Sequence, residues 1–121
     1  MKKKIFFNSS NPFVFTSNEI FKTLEINCIN FNLKSMINDF IIEISQQINN
    51  KEKSIINYYN KEQYNIIGYG ILNNRNMDVN IFQKIFELTP TNSISIYFRD
   101  IETRELINFE NLNYIIDLSY N

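Results

Sequence analysis

Histidine, tryptophan and alanine are missing from this sequence, cysteine occurs once, and glycine and proline occur twice each. Without histidine, the side chain used most often as a general base near neutral pH and as a metal ligand is gone. One cysteine and no histidine do not make a zinc site of the usual composition. They also leave Cys28 with no imidazole to activate it and no partner for an internal disulfide. A charge excess is missing too. Twelve basic residues face thirteen acidic ones, for a net charge of −1. That balance argues against a dedicated electrostatic DNA binder, which carries a strong basic surplus. No apolar run approaches the roughly 18 residues of a membrane span. The apolar start Ile5-Phe6-Phe7 ends at Asn8-Ser9-Ser10-Asn11-Pro12, too early for a secretory signal. The expectation is a cytoplasmic protein with no membrane partner, its lone cysteine in a reducing compartment.

What remains is an apolar, aromatic-rich chain. Its 121 residues are 44% hydrophobic, which selects a globular chain over a disordered one and suits one domain over 1–121. Asn, Ile, Lys, Phe and Tyr dominate. Their codons are A/T-rich, which points to a low-GC bacterium or its phage.

Local patterns predict both strands and helices. Lys4 to Phe7, Ile26 to Phe31, Ser54 to Tyr59, Tyr64 to Leu72, Ser93 to Phe98 and Glu105 to Phe109 read as strands, and Leu112 to Tyr120 reads as strand rather than helix. Thr16 and Glu19 have capping-box spacing ahead of Ile20, Phe21 and Leu24, which predicts a short helix. Leu33, Met36, Ile37, Phe40, Ile41, Ile44 and Ile48 recur at three- and four-residue spacing and predict a long amphipathic helix. Ile81, Phe82, Ile85 and Phe86, after an N-cap at Asp78, predict another. Residues 25–99 then run β-α-β-β-α-β. The expected fold is α+β: an antiparallel sheet with two main helices packed on one face, a ferredoxin-like middle with extra N- and C-terminal strands.

Both glycines sit in Ile67-Gly68-Tyr69-Gly70-Ile71-Leu72. A dinucleotide loop needs a third glycine where Asn73 stands, so this reading fails. In a strand, Gly68 and Gly70 share one face and let a helix sit close, with Phe40 or Phe82 filling the space. The segment resembles the third-strand signature of the RNA-recognition motif at Gly68, Tyr69 and Gly70, and loosely at Leu72. Ile26-Asn27-Cys28-Ile29-Asn30-Phe31 is similar to that family's first strand. The resemblance implies a sheet platform that stacks bases. Of the platform rings only Tyr69 is present, with Asn27 and Ile71 in place of the others.

Carboxylates are the remaining candidates for chemistry. Asp39 and Glu43 read as a solvated helix face; Asp100, Glu102 and Glu105 mix with Arg99 and Arg104 around a turn. No catalytic set, cofactor or metal site is predicted. Tyrosine and arginine are favoured at interfaces. Tyr69, Ile71, Tyr97 and Arg99, with Arg75 on a nearby loop, are therefore the candidate binding residues. The expected function is non-enzymatic: a small inhibitor or immunity-type protein that docks onto a macromolecular target, a host defence enzyme or toxin, with a protein as the expected partner. A homodimer is also compatible. The alternative is an RNA- or nucleotide-binding domain, including one that sequesters a signalling nucleotide.

Overall fold

β-branched and aromatic residues crowd the stretches that pair in space, and such side chains suit a pleated, half-buried surface. A computed structural model describes residues 2–8, 11–31, 38–48, 51–54, 66–73, 76–107 and 112–120. Among them are eight strands and no helix: β1 Lys2–Asn8, β2 Phe13–Phe31, β3 Phe40–Ile48, β4 Lys51–Ser54, β5 Ile66–Asn73, β6 Asn76–Ile81, β7 Phe86–Asp100 and β8 Leu112–Ser119. All belong to one antiparallel sheet in the order β1-β8-β2-β7-β3-β5-β6, with β4 beside the far end of β3. The sheet curls into a half-barrel.

The α+β expectation is therefore corrected to all-β. The predicted helix after Thr16 lies within β2, where Thr16 Oγ1 and Ser93 Oγ share a hydrogen bond and the Glu19 amide donates to Ser17 Oγ. Of the predicted helix through Ile48, the described residues are Asn38 and Asp39, outside any strand, and then β3. The helix predicted after Asp78 is β6, a bend, and the start of β7. Of the expected hairpin at 54–72, residues 55–65 lie outside the described residues, and the return strand is β5.

The 19-residue β2 shapes the sheet. Its first part pairs with β7, Thr23 and Leu24 pair with both β7 and β8, and the rest pairs with β8. Register shifts fall on either side of Phe21 and again between Asn27 and Asn30. Such irregularities bend a strand and increase its twist. The bend is large. The Phe13 ring lies edge-on to Tyr114 with centroids 6.4 Å apart, yet Tyr114 sits between the partners of Asn27 and Asn30. A straight strand would separate the two ends by about 50 Å at ~3.3 Å per residue.

Curling gives the sheet one dry face. Phe21, Leu24 and Ile26 of β2, Phe40, Ile42 and Ile44 of β3, Ile94, Ile96 and Phe98 of β7, and Leu112, Tyr114, Ile116 and Leu118 of β8 fill it. The period of two in β3, β7 and β8 is what a strand requires. Burial pushes the Tyr114 phenol above its ordinary range, so it stays neutral. The outermost strands β1 and β6 are guarded differently. β1 opens with Lys2, Lys3 and Lys4, a common protection for a sheet edge, whereas Asp78 is the only charged residue of β6.

Both glycines are in β5, as strand residues rather than a phosphate loop. Neither has a positive φ, so backbone conformation does not demand them. Crowding does. A Cβ on Gly70 would run into the ring of Phe40, and one on Gly68 would lie 2.6 Å from the Asn80 carbonyl oxygen. Phe40 thus fills the space over Gly70, but from a neighbouring strand and not from a helix.

Asn11 solves a local problem. The β2–β7 register, Phe13 opposite Ile96, extends to Asn11 opposite Phe98. Pro12, next to it, has no N–H to offer. The Asn11 side chain substitutes for backbone: the Phe98 amide donates to Oδ1 at 2.9 Å, and Nδ2 donates to the carbonyls of Phe98 and Ile107. Replacing it strands a part-buried amide. Asn11→Ala is expected to cost about 1–3 kcal/mol of stability in urea unfolding, with Asn11→Asp recovering part of it by keeping the acceptor.

Candidate functional site

The face of the sheet opposite the core carries the candidate residues on its β5–β3–β7 portion. Ile41 lies between Tyr69 on β5 and Arg99 on β7 in one cross-strand row. The next row runs Ile66, Glu43, Tyr97. Ile71 lies opposite Asp78 of β6. Residues directly opposite on adjacent strands share a face, so Tyr69, Ile71, Tyr97 and Arg99 are brought together. Ile41 is only 5% exposed even though it points away from the core. Arg75 lies outside the described residues. Asn27, the proposed platform position, is elsewhere: it is on β2, where its amide donates to Asp117 Oδ2.

The site has two halves. On the β7 side, Arg99 Nε donates to Glu43 Oε2 at 3.1 Å, and the guanidinium carbon lies 4.8 Å from the Tyr97 ring centroid. Nη1 of Arg99 donates to the Arg104 carbonyl, and Arg104 approaches the other Glu43 oxygen at 3.9 Å. One carboxylate thus serves two guanidinium groups, and the Arg–Tyr stack adds about 0.5–1 kcal/mol at a partly exposed site. Arg99 is already held by internal partners on three sides.

On the β5–β6 side exposed apolar side chains sit beside Asp78 and Asn80. The Tyr69 hydroxyl accepts from Asn80 Nδ2 at 3.2 Å, and its ring lies 5.8 Å from Phe82. Phe82 is 52% exposed and Ile71 37%. Sequence spacing assigned Phe82 to a helix interior and Glu43 to a solvated helix face. Phe82 follows β6 directly; its amide donates to the Ile67 carbonyl and continues the β5–β6 ladder. The usable signal for Glu43 was its position in Phe40-Ile41-Ile42-Glu43-Ile44, where alternation puts it beside Ile41 and away from Phe40, Ile42 and Ile44.

A cleft of about 320 Å³ lies at the end of this region, lined by Asn38, Asp39, Leu72, Asp100, Ile101 and Glu102. The Asp39 and Asp100 carboxylates are engaged by the protein. Asp100 Oδ1 accepts from the Glu102 and Thr103 amides at 2.8 and 3.0 Å, and Oδ2 accepts from Asn38. The Thr103 and Glu102 amides, then the Asn38 donor, hold the Asp100 carboxyl below its ordinary range. Asp39 Oδ1 accepts from the Leu72 amide. These bonds close the Asp100–Glu105 turn and tie β5 to the start of β3. Among the described residues no three His, Cys, Asp or Glu side chains are grouped to hold a metal ion, and no helix is long and apolar enough to cross a membrane.

No protein-family model, curated protein or solved structure matches this chain.

Proposed function

We infer that this chain is a protein-docking module whose contact surface is the outer face of β5, β3 and the adjoining part of β7. The observation that carries this reading is half-buried Tyr69 with exposed Phe82 and Ile71 to either side of it, near an arginine already held by internal partners. Tyrosine and phenylalanine in such a patch supply large contact area with few rotatable bonds, and Tyr69 and Asn80 add hydrogen-bonding capacity at its edge. Glu43 and the Arg104 carbonyl already occupy Arg99 donors that a phosphate would use, and Tyr97 already has the Arg99 guanidinium against its ring. This favours a folded protein partner with its own apolar patch over a nucleotide or RNA strand. Docking rather than catalysis is the activity that fits, and the lone Cys28 fits a cytoplasmic setting.

The test places a photo-crosslinking residue at position 82 and, as a control, at position 14, another exposed apolar site. A single crosslinked protein from position 82 that is absent from position 14, and lost in Tyr69→Ala, supports the reading. Tyr69→Ala is expected to weaken binding of that partner at least about tenfold when measured well below its own unfolding midpoint, where the variant is still fully folded. Equal crosslinking from both positions contradicts it. Micromolar binding of a single-stranded oligonucleotide that is sensitive to Tyr69→Ala replaces it with the nucleic-acid alternative.

A further inference from the structure

The other distinctive feature is the open edge of β6. Among the described residues no strand pairs with its outer side. Its pairing with β5 is regular throughout, Gly68 opposite Ile81 to Asn73 opposite Asn76, with no bulge to twist the edge away. It has no lysine and no proline. Met77, Val79 and Ile81 pack against the core but remain half-buried on the last strand of the described sheet. These are the properties that let a sheet edge accept another strand.

The backbone fixes which groups are on offer. The Phe82 amide donates to the Ile67 carbonyl, so residues 82, 80 and 78 direct their backbone groups towards β5. In an antiparallel ladder the direction alternates residue by residue. Met77, Val79 and Ile81 therefore aim their N–H and C=O groups outwards.

The geometry points to a second copy of this chain as the occupant, paired β6 to β6 about a twofold axis through Val79. In that register Val79 faces Val79 of the other copy, and Met77 faces Ile81. Every outward-facing residue of the strand is then paired, giving about six backbone hydrogen bonds. Apolar side chains meet apolar ones on the core side, so the two cores become continuous across the junction. On the other face Asp78 meets an Asn80 amide. A register centred one residue earlier would set the two Asp78 carboxylates against each other, and like charges directly opposite are unfavourable. The lysines of β1 oppose the equivalent pairing at the other edge. The strand is thus self-complementary in shape, hydrogen bonding and charge.

Light scattering and sedimentation across a range of concentrations test this directly. The intact chain is expected to form a dimer in reversible equilibrium. Val79→Pro removes an outward N–H that the β5 ladder does not use, and is expected to give a monomer with an unchanged strand spectrum. Asn80→Asp, at an exposed site, places two carboxylate pairs across the junction and is expected to raise the dimer Kd about tenfold at low salt, an effect lost at high salt. Asn80→Lys is expected to lower it. A monomer at all concentrations overturns the proposal. So does a dimer indifferent to the Asn80 variants, or growth into polymers, which would mean head-to-tail pairing of β6 with the lysine-bearing β1.

Discussion

Phe98→Ala is expected to destabilise this protein by about 3–5 kcal/mol, the largest effect of any single substitution considered. Phe98 is fully buried on β7. Its ring packs against Phe40 of β3 at 5.5 Å and against Tyr114 of β8 at 5.6 Å, both tilted. One side chain therefore joins three strands, of which β8 pairs with neither of the other two. Truncation removes the transfer energy of a ring and leaves a cavity that a curved sheet, already fixed by its ladders, does not collapse to fill. Domains of this size are stable by about 5–15 kcal/mol in total, so the native population falls sharply. Urea unfolding measures the loss, and Phe98→Leu is expected to lose less than half as much. A cost below about 1.5 kcal/mol for the alanine variant would mean that Phe98 does not bridge the sheet as described.

Gly70→Val is expected to cost about 3 kcal/mol, against the ordinary trend of strand positions. Glycine weakens a strand by roughly 0.5–1 kcal/mol relative to alanine, and valine is a favoured strand residue. Packing reverses the sign here. The first carbon added at Gly70 meets the Phe40 ring, and Phe40 is itself fully buried against Phe98. Overpacking of that kind typically costs 1–3 kcal/mol and occasionally more. The diagnostic is the pair. Phe40→Leu alone destabilises, but combined with Gly70→Val it is expected to recover stability relative to Gly70→Val, because the two positions share one volume. Additive losses would show that Gly70 is required for another reason.

Much of the strand content was legible in the sequence, and the places where it was not have a common cause. β8 and the β7 segment from Ser93 to Phe98 alternate cleanly, and each appears as a strand with its apolar set inward. In β2 the register shifts around Phe21 break that alternation. Its inward residues become Phe21, Leu24 and Ile26, spaced three and then two apart, and the first interval imitates a helix. β3 misleads differently. Phe40, Ile42 and Ile44 are its core set, but Ile41 is also buried, on the outer face, between Tyr69 and Arg99. Summed over both faces, the spacing looks helical. The β-branched richness of Phe40-Ile41-Ile42-Glu43-Ile44 carried the opposite and correct signal. At residues 81–86 the pattern spans a strand end, a bend and a strand start, so no single period applies.

The candidate site inherited the same mixture. Tyr69, Ile71, Tyr97 and Arg99 were chosen as interface-type side chains on strands, and because β5 and β7 are strands that flank β3, they fall on one sheet face. Their partners did not follow from that choice. Glu43 and Phe82 complete the two halves of the site, yet both fell in stretches read as helix. The Asn27 platform position failed because β2 pairs with β7 and β8 and not with β5.

Ile41 is the position where fold and site stand or fall together. Cross-strand nuclear Overhauser contacts from its backbone test the account most directly. The structure predicts contacts from Ile41 to Tyr69 on one side and to Arg99 on the other. Sequential contacts from Ile41 to residues three and four positions away, the mark of a helix over this segment, would contradict the sheet and dissolve the docking face with it.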